Sequence, residues 1–240
     1  MTKLTRDSTQ DAPAPTSPRP EIAEFLDQVR ALGTADTAGG RGRLIFALDA
    51  TMSRQPTWDT ACSLQADMFR EAAAVGGLDI QLVYFRGRDE CRASGWVEGS
   101  DKLARLMGAI DCRGGQTQIG RVLTHARNEH GRKPVQALVF VGDAMEEGID
   151  DLCAVAGELG LLGVRAFMFQ EGDDRAAEKA YREIARLTHG AYGRFDVGAA
   201  HELAELLRAV AAYAAGGLAA LQALTARQAG SANKLLAQLT

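Results

Sequence analysis

Asp49, Thr51 and Ser53 stand at alternate positions just where an apolar run, Leu44 to Leu48, breaks off. A buried strand that ends this way delivers one carboxylate and two hydroxyls to the point where it leaves a sheet. Two later segments offer the same chemistry. Thr117 follows Gly114-Gly115 and leads into a helical pattern, and Asp143 follows the apolar run Val135 to Val141. Two carboxylates and three hydroxyls are hard oxygen donors of the kind that suit Mg²⁺, which prefers six oxygens and keeps water readily. Taken singly, each of the five also reads as a turn former or a helix cap.

The elements that must position these residues alternate along the chain. Leu44 to Leu48 reads as a strand buried on both faces, and Thr57 to Val75 as a helix stopped by Gly76-Gly77. Asp79 to Phe85 is the next strand, and Arg88 to Val97 adds a short hairpin strand. Ser100 caps a helix with Leu103, Leu106, Met107 and Ile110 on one face. After the Gly-rich loop Arg113 to Thr117, a helix carries Ile119, Val122, Leu123 and Ala126. The loop is expected to be free to move toward a metal. Val135 to Val141 is a strand, and Asp150 caps a helix to about Leu159. Gly163 to Phe169 is a strand, Asp174 to Thr188 a helix closed by Gly190, Ala191 to Phe195 a strand and Ala199 to Tyr213 a helix. Alternation at this spacing predicts an α/β fold, a doubly wound and mostly parallel sheet with helices on both faces. In such a sheet ligands gather outside the carboxyl ends of the strands, where the strand order reverses.

The ends of the chain read differently. Residues 1–20 are polar and hold four of the six prolines, which predicts a disordered tail. Residues 21–42 read as a short amphipathic helix and a Gly-rich connector that lacks the Gly-Lys-Ser/Thr of a P-loop. Residues 43–213 form the main domain. Residues 214–240 read as a helical extension, two Ala/Leu helices joined at Gly230-Ser231.

Bulk properties narrow the function. The 240 residues are 46% hydrophobic, enough for a sizeable core, and the net charge of -4 does not suggest a general nucleic-acid or acidic-membrane binder. No segment is long and apolar enough to span a bilayer, and the N-terminus lacks a signal-like apolar run. Cys62, Cys91, Cys112 and Cys153 are scattered, which favours cytosolic thiols over a zinc site or a disulfide framework.

Together, Asp49-Ala50-Thr51-Met52-Ser53, Thr117 and Asp143 resemble the metal-ion-dependent adhesion site (MIDAS) of the von Willebrand factor A (VWA) domain family. That family shows Asp-x-Ser-x-Ser after the first strand, a Thr in a later loop and an Asp after the fourth strand. The resemblance covers roughly residues 43 to 213 and implies strand order 3-2-1-4-5-6. It implies that Thr51, Ser53 and Thr117 bind Mg²⁺ directly, with Mn²⁺ or Ca²⁺ as substitutes, while Asp49 and Asp143 act partly through water. Thr51 departs from the family's Ser, and Met52 from its frequent Gly.

Other constellations are poorer. His125 and His130 are five apart, off the spacing of a helical metal pair, and read as surface or cap residues. His189 reads as a helix C-terminal residue. No Gly-x-Ser-x-Gly elbow is present. Glu146, Glu147, Asp150 and Asp151 read as a solvated rim, with support for the metal site as the minority reading. The expectation is a cytoplasmic, bacterial-looking, non-enzymatic protein. A partner protein would supply an Asp or Glu to the metal within a multiprotein assembly. By the resemblance, intracellular relatives of this fold work in multiprotein assemblies, among them MoxR-type ATPase systems, metal chelatases, tellurite-resistance clusters and the Ro ribonucleoprotein, which makes an AAA+ ATPase or another assembly component the expected kind of partner. No direct contact with nucleic acid or membrane is expected. A Mg²⁺-dependent phosphate-ester hydrolase and a ribonucleoprotein component are the alternatives.

Overall fold

The computed structural model describes residues 41–51, 58–59, 77–196 and 200–236, and elements are numbered among these. Six strands form one sheet: β1 (Gly42–Asp49), β2 (Leu78–Arg86), β3 (Glu90–Ala93), β4 (Ala137–Gly142), β5 (Arg165–Glu171) and β6 (Ala191–Phe195). Their order is β3-β2-β1-β4-β5-β6, as the resemblance implied. All pairings are parallel except β2 with β3, which form the antiparallel hairpin. The order reverses between β1 and β4, where Leu48 lies opposite Val141.

Five described helices flank the sheet: α1 (Ser100–Gly108), α2 (Ile119–Arg132), α3 (Ile149–Leu161), α4 (Arg175–Leu187) and α5 (Ala200–Leu236). The middle of the central strands, Leu44 to Leu48 of β1 and Ala137 to Val141 of β4, is apolar and buried at every position because both faces are covered. Leu44, Phe46 and Leu48 of β1 join the core under α1 and α5, whereas Ile45 and Ala47 join the core under α2, α3 and α4. The stripes expected on α1 and α2 pack inward, with Leu103, Met107, Ile119, Val122, Leu123 and Ala126 buried.

The helix ends depart from the local signals in the sequence. Ser100 and Asp150 do not cap their helices. The N-cap residues are Gly99 and Gly148, and each polar residue lies inside the first turn. Asp174 does cap α4, its Oδ1 accepting from Ala177 N at 2.6 Å. The end of α4 is also unusual. His189 takes the left-handed conformation (φ 51°), and Gly190 N and His189 N donate back to Ala185 O and Arg186 O. This is a helix-ending motif that normally places glycine where His189 stands. Gly190 is needed for a different reason: a Cβ there would lie 1.9 Å from Ala166 O on β5.

Helix α5 breaks at Gly216-Gly217 and then runs on to Leu236 without the interruption expected at Gly230-Ser231. Beyond the break Leu221 and Leu224 are buried, Leu221 in the core under β1. The expected tail, the first amphipathic helix and most of the helix expected over residues 57–75 lie outside the described residues. Trp58 is described and buried, its Nε1 donating to Met107 O at 3.3 Å. Among the described residues no helix is long and apolar enough to cross a membrane.

Candidate metal and ligand cleft

Three loops meet where the strand order reverses. Asp49 ends β1 and is buried, at 3% exposure. Its Oδ1 accepts from Thr51 N at 2.8 Å, a side-chain turn that fixes the first residues after the strand. The intervening Ala50 is held on both sides, its N donating to Phe85 O and its O accepting from Arg113 N, each at 2.9 Å.

Thr117 is buried and paired with Glu146 in both directions. Thr117 N donates to Glu146 Oε2 at 3.2 Å, and Glu146 N donates to Thr117 Oγ1 at 3.0 Å. Glu147 takes two further backbone donors, Ile119 N at 2.5 Å and Gly120 N at 2.9 Å. The N-terminus of α2 is thus capped by a carboxylate from another loop. On its other side the Thr117 loop rests on the β2–β3 turn. Gln116 N donates to Gly87 O at 3.1 Å, and a Cβ on Gly115 would lie 2.3 Å from Gly87 N and O. The loop expected to move freely is therefore tied from both sides. Gly115 serves close backbone approach, with Gly87 itself at φ 61°. Glu146 and Glu147, read from sequence as a solvated rim, are what tie it.

Asp143 follows β4 on a loop held from below. Tyr181 Oη donates to Ala144 O at 2.8 Å, and the Tyr181 ring meets Phe140 edge-on at 5.4 Å. Gly142 leaves room for this arrangement, since a Cβ there would meet both Phe140 and Tyr181 at 2.8 Å.

Asp49, Thr51, Thr117 and Asp143 line one cleft of about 210 Å³ together with Gly114, Gly115, Ala144 and Glu146. Ser53, the fifth expected ligand, lies outside the described residues, as does Met52. The described donors are all hard oxygens, the chemistry of a hard divalent cation such as Mg²⁺. Among the described residues no group of three or more His, Cys, Asp or Glu side chains is placed to hold a metal by itself. A cation here would draw on hydroxyl and water oxygens beside the carboxylates.

The histidines lie elsewhere. His130 Nδ1 accepts from Val135 N at 3.2 Å, a local turn contact. The His125 ring is half-buried against Gln81, with Nε2 2.9 Å from Gln81 Oε1.

A doubly wound α/β sheet with a cleft at its switch point defines the class. More narrowly, the strand order and the hairpin at β3 make it a VWA-type fold. The VWA domain of SpRpn10 superposes with TM-score 0.53 at 12% identity, over 74% of this chain and 97% of that one. An aerotolerance-related membrane protein from Bacteroides fragilis matches with TM-score 0.52 and 18% identity, over 68% and 96%. Proximal thread matrix protein 1 from the mussel byssus, solved with a zinc-occupied MIDAS motif, matches with TM-score 0.55 and 18% identity, over 72% of this chain but 45% of that one. No protein-family model and no curated protein sequence matches the chain.

Proposed function

We propose that this chain is a cytoplasmic, non-enzymatic protein-binding module that acts through a divalent cation. Asp49, Thr51, Ser53, Thr117 and Asp143 hold the ion, Mg²⁺ by preference, and an Asp or Glu of a partner protein completes its coordination. The observation that carries this reading is the convergence of Asp49, Thr51, Thr117 and Asp143, from three separate loops, on one cleft. The fold supports it, since VWA-type domains commonly mediate protein interactions, and a mussel neighbour carries zinc in its MIDAS motif. With Asp49 and Asp143 acting partly through water, the ligands that touch the cation directly are mostly neutral hydroxyls, so a partner carboxylate gains more at this partly desolvated site than in water. The setting proposed is a multiprotein assembly, of which an AAA+ ATPase is one candidate member.

Titration calorimetry tests the site. Wild-type protein should take up one Mg²⁺ or Mn²⁺ weakly. Asp49→Asn and Asp143→Ala should abolish the heat of binding while circular dichroism stays unchanged; unaltered affinity in both variants rejects the site. Co-precipitation then tests the partner: EDTA should release it and Mg²⁺ restore it, and Thr117→Ala should weaken partner recovery more than metal uptake. Turnover of phosphate esters by the same samples, lost in Ser53→Ala, would favour a hydrolase instead.

A further inference from the structure

Glu146 and Glu147 stand side by side after Asp143, and the fold gives them different work. Glu147 is committed on both oxygens. Its Oε1 accepts from Ile119 N and its Oε2 from Gly120 N, so its charge is met by the amino end of α2. Glu146 instead lines the cleft, together with Asp49 and Asp143. Its Oε2 accepts from Thr117 N, and its own N donates to Thr117 Oγ1. Among the described residues Oε1 accepts no hydrogen bond and no ion pair engages the carboxylate. The bond to Thr117 N anchors this charge on the residue whose hydroxyl is read as touching the ion.

Asp49 and Asp143 already match the two charges of a divalent cation. A third carboxylate in the same cleft leaves the loaded site with a net negative charge. One fixed charge then acts in opposite senses on the two bodies that meet there. It attracts the cation and repels the carboxylate that arrives on it.

We propose that Glu146 sets the balance between the metal and its partner. Its charge tightens the hold on the cation and opposes an incoming carboxylate. A bare carboxylate therefore docks poorly, and a partner must bring further contacts to overcome the repulsion. Such a charge selects partners more than it adds affinity.

This inference rests on the metal-site reading, and the test separates the two. Mn²⁺ uptake is measured by calorimetry. Acetate is then titrated onto the Mn²⁺-saturated protein at constant ionic strength, because salt screens exposed charges. Its binding is read as the loss of solvent-proton relaxation when it displaces a metal-bound water. Glu146→Gln keeps an acceptor for Thr117 N and removes the charge. It should bind Mn²⁺ about fivefold more weakly, and acetate about threefold more tightly, than wild type. Glu146→Asp keeps the charge and shortens the reach to Thr117 N, and should stay within about twofold of wild type on both counts. A merely structural tie gives the reverse order, with Gln tolerated, Asp impaired and both affinities falling together. That pattern, or unchanged or absent acetate binding in the Gln variant, overturns the proposal and leaves the metal site standing. Failure of wild type to take up Mn²⁺ rejects the metal site itself, and this proposal with it.

Discussion

Glu147 shows how much of a site can depend on a residue that does not look like part of it. Its carboxylate accepts from Ile119 N and Gly120 N, two donors that α2 cannot satisfy internally, at the positive end of that helix. Removing such a cap costs about 1 kcal/mol. Glu147→Ala should lower the urea midpoint accordingly and also weaken Mg²⁺ uptake, because Thr117 sits two residues upstream of the freed helix start. Unchanged metal affinity in that variant would show that the cap serves stability alone. The sequence made Asp49, Thr117 and Asp143 legible because each follows a strand end or opens a helix. It could not reveal Glu146 and Glu147 in the same way. Their partners lie 27 to 29 residues upstream, and only the folded loops bring them together.

At the scale of elements, the loop before α2 functions as a wedge between two others. It is pressed against Gly87 on one side and bonded to Glu146 and Glu147 on the other. Gly115→Ala would place a methyl group 2.3 Å from Gly87 N and O, so the backbone must shift by more than a side-chain adjustment could absorb. The expected result is at least a tenfold loss of Mg²⁺ affinity by calorimetry, since 1.4 kcal/mol of misplacement is enough for that. Gly114→Ala meets nothing within 4 Å and should bind as wild type, which makes it the matched control. The strands and the faces of α1 and α2 were legible because burial on both sides of a parallel sheet leaves an unbroken apolar signature. Helix starts were less so. Ser100 and Asp150 are good capping residues by type, but glycines one or two positions earlier take the cap conformation. A first-turn residue and a cap look alike in sequence.

At the scale of the whole molecule, the end of the sheet opposite the cleft is a buried polar foundation. Arg43, at the amino end of β1, stacks 3.7 Å from the centre of the Trp96 ring and lies 3.7 Å from Glu129, whose Oε2 accepts from Trp96 Nε1 at 2.9 Å. His125 belongs to the same neighbourhood. Gln81 Nε2 donates to Ser94 O, which leaves Gln81 Oε1 to accept from the His125 ring. Burial holds the His125 imidazolium below its usual pKa, against the opposing pull of Glu129. The unfolded chain therefore takes up this proton first. Stability is complete above about pH 6.5 and declines as the pH falls from there through the lowered folded value. His125→Gln should flatten the decline between pH 7 and pH 5 in urea titrations, and an unchanged slope would assign the loss to other groups. Asp49 and Arg43 bracket β1, six residues or about 20 Å apart. On the proposed reading, partner choice at the cleft and the buried polar cluster around Arg43 draw on different residues. A lineage built on this plan can rewrite its rim, loop by loop, without renegotiating the foundation, and so change allegiance faster than it changes shape.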